Sequence, residues 1–435
     1  MAKQPNSQRQ DLLQVIASNP FQTHPRQAKF WHGRVFSKEQ DEENRMLLLL
    51  PPTMTWESPD KPRDDHHNTN IEDDPKSWLT ASEYQDEDRL MQLKIQKLAE
   101  LLRQSKKTVV YSGAGISVAA GIGQAARGSS QNGTKKHPIF GITKANKMSA
   151  KPTPTHYALG ALASNDLIHG WIQQNHDGLP QKAGFPQDKI NEIHGSWYDP
   201  SNPVVKYSGS LRHSEYKWMV KEAESADLVL VLGTSLSGLN ADQVPIKAAH
   251  RSLQGKSLGM VIINLQQTPQ DGKASLRIFG STDNVFRQLF HHMKLAPVPK
   301  SISKQYKFPK DKKFLIPYDA QGDLYLVSNG SGGGGNNDGD SYKMVWDLNV
   351  NAKVQIVNHN VEGAGQPSHQ PVLAQNPELI GRVIAWDNDS MSIQISISGA
   401  VFRLGYWWIE TAMQGRALTL PLVNVSPKFG GDGTQ

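Results

Sequence analysis

The sequence contains no cysteine among its 435 residues. This absence excludes disulfide bonds and thiolate metal ligands, and it fits a reducing compartment. No run of about eighteen apolar residues occurs, and the N-terminus MAKQPNSQRQD is polar where a signal peptide would need an apolar stretch. We therefore expect a cytoplasmic or nuclear protein with no membrane span.

The chain also carries little net charge of either sign. Lysine and arginine number 47 against 41 acidic residues, which gives a net charge of +6. Seven lysines fall in KLAPVPKSISKQYKFPKDKK, between Lys294 and Lys313, a composition typical of a solvated linker. Nucleic acid is therefore not an expected partner.

Composition divides the chain into four regions. Residues 1–85 mix acidic clusters, prolines and scattered aromatics, which predicts an extension of low periodicity. Residues 86–295 combine helical periodicity with β-branched runs and predict an α/β domain. Residues 296–340, rich in Lys, Pro and Gly, predict a linker. Residues 341–435 contain short β-rich pieces, including KMVWDLNV, RVIAW, SIQISIS and LGYWWIE, and predict a small, separate all-β domain, with Trp407 and Trp408 on one half-buried strand.

A glycine-rich turn follows the first strand of the α/β region. The strand TVVY leads into Gly113-Ala114-Gly115-Ile116-Ser117. Small residues there let the backbone approach a pyrophosphate, and helix N-terminal amides then hold its charge. The pattern is weak alone, because any tight strand-to-helix turn favours glycine.

Two further strands end in small or polar residues. DLVLVLGTSL ends in Gly233-Thr234-Ser235, and GMVIINL ends at Asn264. Ligands bind at the carboxyl edge of parallel strands in doubly wound sheets. The three strand ends together predict a doubly wound parallel sheet with a nucleotide site at that edge.

Two polar blocks carry candidate chemistry. Gln174, Asn175, His176 and Asp177 follow the strand LIHGWIQ, where such side chains are costly to bury without a hydrogen-bond network. His194 lies in EIHGSW, and an imidazole suits general-base catalysis because its pKa is near neutrality.

In order, TVVYSGAGIS, PTPTHYAL, QQNHDGL, EIHGSW, DLVLVLGTSL and VIINLQ resemble the sirtuins, which are NAD-dependent protein deacylases. The resemblance covers roughly 200 residues, from about Leu90 to Met293. It implies a Rossmann-like core with NAD as cofactor. The implied cofactor-binding residues are Gly113, Ala114, Gly115, Ser117, Arg127, Gln174, Asn175, Asp177, Gly233, Thr234, Ser235 and Asn264.

The resemblance also implies the catalytic and substrate residues. His194 matches the general base that acts on a ribose hydroxyl, while Asn175 and Asp177 match residues that position the nicotinamide ribose and carboxamide. His176 replaces a residue that is more often apolar and is interpreted as a local variant. The implied acyl-peptide contacts are Val204, Val205 and Tyr207.

Three features depart from the family pattern. The loop AAGIGQAARGSS replaces GIPDFRG and lacks its aspartate and aromatic residue, which puts the cofactor lid in doubt. The four-cysteine zinc module is missing, because only GSWYDPSNP joins His194 to the following VVKYSGS, so no zinc and no metal site are expected. VVKYSGS itself replaces VVxFGE and lacks its acidic end.

Three functional hypotheses remain open. The first is an NAD-dependent protein-lysine deacylase that releases nicotinamide. The second is an NAD hydrolase or ADP-ribosyltransferase, in which water or another nucleophile replaces the acyl-lysine. The third is a weak or inactive sirtuin-like component of a large assembly, bound through the N-terminal extension and the C-terminal β domain.

Overall fold

The computed structural model describes residues 53–56, 83–86, 88–122, 147–205, 209–236, 240–266, 268–299, 306–325, 343–357 and 379–425. The described strands are β1 Thr53–Trp56, β2 Glu83–Gln85, β3 Thr108–Ser112, β4 Gly170–Gln173, β5 Ile190–Glu192, β6 Leu228–Leu232, β7 Gly259–Asn264, β8 Leu276–Phe279, β9 Lys313–Ile316, β10 Met344–Asp347, β11 Lys353–Ile356, β12 Ile380–Asp387, β13 Ser392–Ile397, β14 Ala400–Gly405 and β15 Leu422–Asn424. The described α-helices are α1 Asp88–Gln104, α2 Pro154–Ser164, α3 Leu179–Lys182, α4 His213–Ser225, α5 Gln243–Leu253, α6 Thr282–His292 and α7 Tyr406–Met413.

The chain forms two compact units. The first comprises residues 1–144, 152–174 and 217–301, and the second comprises residues 145–151, 175–216 and 302–435. Within the described ranges, no helix is long and apolar enough to cross a membrane.

The first unit carries five of the six strands of a parallel sheet, in the order β4–β3–β6–β7–β8. The strands β3 and β6 are buried along their whole length, and β6 is entirely apolar, as a sheet covered on both faces requires. α1 packs against α6 and β8, and α5 packs against β6 and β7. The predicted doubly wound parallel sheet is confirmed.

The order of these strands marks a place for a ligand. β3 pairs with β4 on one side and with β6 on the other, all in parallel. After β3 the chain builds the sheet outward on one side, through β4, and later returns to the other side of β3 to form β6. The strand order therefore reverses beside β3, and at such a switch point doubly wound sheets leave a crevice beyond the carboxyl ends of their strands. The residues that follow β3, β4 and β6 border that point.

The α2 helix begins with a buried histidine cap. The ring Nδ1 of His156 is 3.2 Å from the Thr153 amide nitrogen and 2.7 Å from the Thr153 hydroxyl. Burial lowers the pKa of His156 to about 3, so the ring stays neutral. His156 is a helix cap, as its place at a helix start suggested.

The second unit contains an antiparallel sheet with the order β14–β13–β12–β11–β15 and a β9–β10 pair. It also contains β5, the sixth strand of the parallel sheet. Its apolar core includes Tyr198, Trp346 and Trp407. Tyr198, a residue of the predicted α/β region, therefore lies in the same apolar core as the predicted β domain.

Three expectations about this unit are corrected. Trp407 and Trp408 do not share a strand, because β14 ends at Gly405 and both side chains are buried in α7. β9 lies inside the expected linker 296–340, where Phe314 and Ile316 alternate inward. The C-terminal β region is also not a separate domain, because it shares one core with residues 175–216.

Candidate functional site

In the first unit, polar side chains join the ends of three parallel strands. Gln174 follows β4, Thr234 follows β6 and Asn264 ends β7. The Gln174 amide nitrogen lies 3.3 Å from the Thr234 hydroxyl, and Asn264 Nδ2 lies 3.3 Å from the Thr234 carbonyl oxygen. The structure therefore brings together residues that are up to 90 positions apart in the sequence, at the predicted edge of the sheet.

The glycine-rich turn after β3 is locked onto the end of β6. The Gly113 amide donates to the Leu232 carbonyl at 3.0 Å, and the Gly115 amide donates to the Gly233 carbonyl at 2.8 Å. A Cβ on Gly115 would lie 2.7 Å from Gly233 Cα. The two glycines therefore allow the turn after β3 and the end of β6 to touch through their backbones.

The helix after Gly113 is a 3₁₀ helix over Ala114–Ala120. Ser117 is buried within it, while Ala114 is half-buried. Ser235 is half-buried beside Thr234. All three small side chains follow the carboxyl ends of strands at the switch point.

A buried pair beneath this edge was missed from the sequence. The Tyr111 phenol donates to Asp242 Oδ1 at 2.7 Å. Burial and the Asp242 charge raise the pKa of Tyr111 well above its ordinary value, so the phenol keeps its proton. Tyr111 also hydrogen-bonds with Gln174. The sequence signal for the Tyr111–Asp242 pair is limited to the position of Tyr111, one residue before the end of β3.

In the second unit, His194 lies in a turn held by the segment that follows it. The Val205 amide donates to the His194 carbonyl at 3.0 Å. Gly195 has a φ of 86°, and an added Cβ would lie 2.2 Å from the Pro203 carbonyl oxygen. The half-buried His194 and the predicted substrate residues Val204 and Val205 are therefore adjacent.

The Asn175–His176–Asp177 segment is tied to the same turn. Ring nitrogen Nδ1 of His176 lies 2.8 Å from the Gly195 carbonyl oxygen, and desolvation lowers the pKa of His176. The Trp197 amide donates to the His176 carbonyl at 3.0 Å. This bridging contact suits the interpretation of His176 as a local variant.

Asp177 is buried, and its Oδ1 accepts the Leu179 amide at 3.0 Å. The neighbouring Asn175 is half-buried. The carboxylate thus accepts a hydrogen bond from the first residue of the short helix α3, and this contact fixes the orientation of the Asp177 side chain. His194, Asp177 and the bridging His176 form one connected group in the second unit.

Two buried ionisable groups near these loops also escaped prediction. Burial raises the pKa of Glu192 to about 8, with the Asp199 and Asp177 charges adding to the rise. Burial lowers the pKa of Lys182 to about 8, and its Nζ donates to the Tyr198 hydroxyl at 2.9 Å. In the sequence both look like ordinary charged surface residues.

Two predicted residues, Arg127 and Tyr207, lie outside the described residues. Among the residues that the structure describes, no group of three or more His, Cys, Asp or Glu side chains could hold a metal ion. With no cysteine in the chain, the residues do not fit a four-cysteine zinc site.

No protein-family model matches the chain. The chain is 32% identical over 256 residues to the NAD-dependent protein deacetylase SRT1 of Arabidopsis thaliana, covering 50% of this chain and 53% of that protein. It is 28% identical over 244 residues to the NAD-dependent protein deacetylase sirtuin-7 of Homo sapiens, covering 46% and 60%. It is 27% identical over 255 residues to the NAD-dependent protein deacylase 2 of Archaeoglobus fulgidus, covering 47% and 98%.

Over about half of its length the chain is similar to proteins of the sirtuin family. A solved structure described as "Structural Basis for the Mechanism and Regulation of Sir2 Enzymes" matches it at 26% identity with a TM-score of 0.39, covering 47% of this chain and 98% of that one. The chain spans about half the length of the SRT1 relatives that it matches. Sirtuins use NAD, and the hydrogen-bonded strand ends with small neighbouring residues form a polar edge that fits a dinucleotide.

Proposed function

We propose that this protein is an NAD-dependent protein-lysine deacylase that releases nicotinamide. The observation that supports this most is the direct hydrogen bonding of Gln174, Thr234 and Asn264 at the switch point of the sheet. Three strand ends held in one polar network form a preorganised edge for a nucleotide. The names of the relatives, which are NAD-dependent deacetylases and deacylases, supply the reaction class.

In this proposal the first unit binds the cofactor. The small residues Gly113, Ala114, Gly115, Ser117, Gly233 and Ser235 allow the chain to approach the phosphates and a ribose, with Arg127 as a further contact. Gln174 and Thr234 hold the shape of that edge, and Asn264 binds the adenosine end. When bound, NAD supplies an anomeric carbon from which nicotinamide departs.

The second unit supplies the proton chemistry and the peptide contact. His194 takes a proton from a ribose hydroxyl, while Asn175 and Asp177 orient the nicotinamide end of the cofactor. The burial of Asp177 and its backbone contact keep this carboxylate in one direction, as a positioning role requires. Val204 and Val205, together with Tyr207, receive the acyl-lysine peptide, since extended peptides bind by adding to exposed backbone.

The decisive experiment follows nicotinamide release from NAD with and without a panel of acyl-lysine peptides. We expect release that depends on a peptide. His194→Ala should lower kcat by about 100- to 10,000-fold, the usual contribution of a general base, while the Kd for NAD changes by a few-fold at most. His250→Ala, at an exposed position of α5, is the matched control and should keep the wild-type rate.

Other outcomes would overturn the proposal in distinct ways. Release without any peptide, lost in Asn175→Ala, would favour NAD hydrolysis or ADP-ribosyl transfer. No release with any peptide, together with no calorimetric NAD binding at millimolar concentration, would leave a structural role in an assembly.

A further inference from the structure

The loop that carries Asp177 is packed against the C-terminal β region. Gly178, directly after Asp177, has a φ of 62°. An added Cβ there would lie 2.7 Å from the Tyr198 ring and 3.0 and 3.1 Å from two atoms of the Trp407 indole. Two aromatic side chains therefore touch the backbone next to a proposed catalytic residue, and the contact leaves no room for a methyl group.

The same two aromatics connect to the His194 turn. The rings of Tyr198 and Trp407 meet edge to face, with centroids 5.2 Å apart. Tyr198 is fully buried, and its carbonyl oxygen accepts the Gly405 amide at 3.0 Å, immediately before α7. Tyr198 lies only four residues after His194, in the short joint between His194 and Pro203.

A second set of contacts links the two loops to each other. The Trp197 amide donates to the His176 carbonyl, and the His176 ring contacts the Gly195 carbonyl. Trp197, the residue before Tyr198, is thus hydrogen-bonded to the Asp177 loop, and that loop contacts the His194 turn. A displacement of the Tyr198 backbone would therefore move both. Catalytic rates respond strongly to displacements of about 1 Å.

The shape of Trp407 matters here more than its polarity. Its Nε1 is buried without a hydrogen-bond acceptor among the described residues, and a buried donor without a partner destabilises the folded state. The two indole atoms nearest Gly178 are Cη2 and Cζ2, which belong to the six-membered ring of the indole. A phenylalanine ring at position 407 would not reach so far. The position therefore keeps a large ring despite an unfavourable N–H group.

We propose that Trp407 is a positioning residue, through which the C-terminal β region holds the Asp177 loop and the His194 turn in their working arrangement. The inference rests on the proposed function for its catalytic consequence. In a chain without cysteine, apolar packing onto a β core supplies the rigidity that these loops need. The β region is then a part of the catalytic apparatus, since its removal would release both loops.

The test compares Trp407→Phe with Trp346→Phe in the full-length protein. Trp346 is a matched control, because it is fully buried in the same core, on β10, and its Nε1 is also without an acceptor among the described residues. Both variants remove an unsatisfied donor and some packing, so their melting temperatures should shift by similar, small amounts. Only Trp407→Phe removes the contact at Gly178.

Two measurements distinguish positioning from general stability. For Trp407→Phe we expect kcat for nicotinamide release to fall about tenfold or more with the Kd for NAD unchanged. We also expect amide hydrogen exchange of residues 176–178 and 194–198 to accelerate about tenfold. The control Trp346→Phe should change neither quantity.

Hydrogen exchange decides the inference independently of activity. If the wild type does not cleave NAD, the proposed function fails, but faster exchange confined to Trp407→Phe would still support the coupling of the β region to the loops. Equal exchange in the wild type and Trp407→Phe would overturn the inference, even in an active enzyme.

Discussion

Glu192 provides a sharp test of how burial controls the charge of a side chain beside the His194 turn. The side chain ends β5, two residues before His194, and it is buried with its Oε1 unpartnered among the described residues. Burial raises the pKa of Glu192 to about 8, and the Asp199 and Asp177 charges add to the rise, while hydrogen bonds from Ser196 and Gln181 oppose it. The carboxyl group is therefore neutral in the folded protein at pH 7.

The sign of the effect follows from the two protonation states. The pKa of about 8 in the folded state lies above the ordinary value of 4.5, so the folded protein keeps a proton that the unfolded chain releases between these values. The contribution of Glu192 to stability is complete below about pH 4.5 and is lost as the pH rises towards 8. Stability falls by roughly 1 kcal/mol per pH unit in this range, or roughly 2–3 kcal/mol between pH 5.5 and 7.5.

Glu192→Gln removes this dependence, because the amide has nearly the same shape and cannot ionise. We expect the free energy of unfolding of the variant, minus that of the wild type, to rise by roughly 2–3 kcal/mol from pH 5.5 to 7.5. Urea denaturation followed by tryptophan fluorescence at several pH values measures the difference. The buried His156 and His176 titrate in both proteins, so they cancel in this difference.

The matched control is Glu224→Gln, at a side chain that is 66% exposed on α4. Its difference from the wild type should stay constant across the same pH range. A constant difference for Glu192→Gln as well would show that Glu192 is ionised in the folded protein, and the argument from burial would be refuted.

Two further predictions concern the cofactor edge and the metal content. Gly115→Ala should destabilise the protein by about 1–3 kcal/mol and weaken NAD binding, because its Cβ would meet rigid Gly233 backbone at 2.7 Å. Thermal unfolding and calorimetry would measure this. Gly280→Ala should cost much less, because its Cβ would meet the flexible end of Met91 at 2.8 Å and Val285 at an ordinary 3.5 Å. The purified protein should contain far less than one zinc per chain and should keep its fold in chelator, because no cysteine is present. Elemental analysis showing stoichiometric zinc would overturn the last expectation.

The sequence predicted the parallel sheet well because its strands are strongly apolar. LVLVL in β6 and GMVII in β7 are buried runs; Gly233 and Thr234 follow the first, and Asn264 ends the second. The helical spacing before TVVY predicted α1, which is confirmed over Asp88–Gln104. Motif residues that directly follow such strands could therefore be placed at one edge of the sheet from their order in the chain alone.

The sequence failed where residues distant in the chain decide the local structure. Tyr406, Trp407 and Trp408 favour strands by their intrinsic preference, yet they form α7, whose residues are nearly all buried. A helix buried on most of its surface shows no apolar stripe, so no helical period is visible in its sequence. Tertiary packing determined the structure of this segment.

Tyr198 explains why the division into domains could not be read from the sequence. Its place in GSWYDPSNP is typical of a surface loop, since prolines, serine and asparagine surround it, yet its ring is fully buried. A side chain of this size needs a large apolar partner, which is Trp407, 209 positions later. A partner at that distance leaves no trace in local periodicity, so residues 175–216 looked like part of one continuous α/β domain. Because the Tyr198 ring is buried against Trp407, residues 175–216 share one core with the C-terminal β region, although no sequence motif connects the two segments.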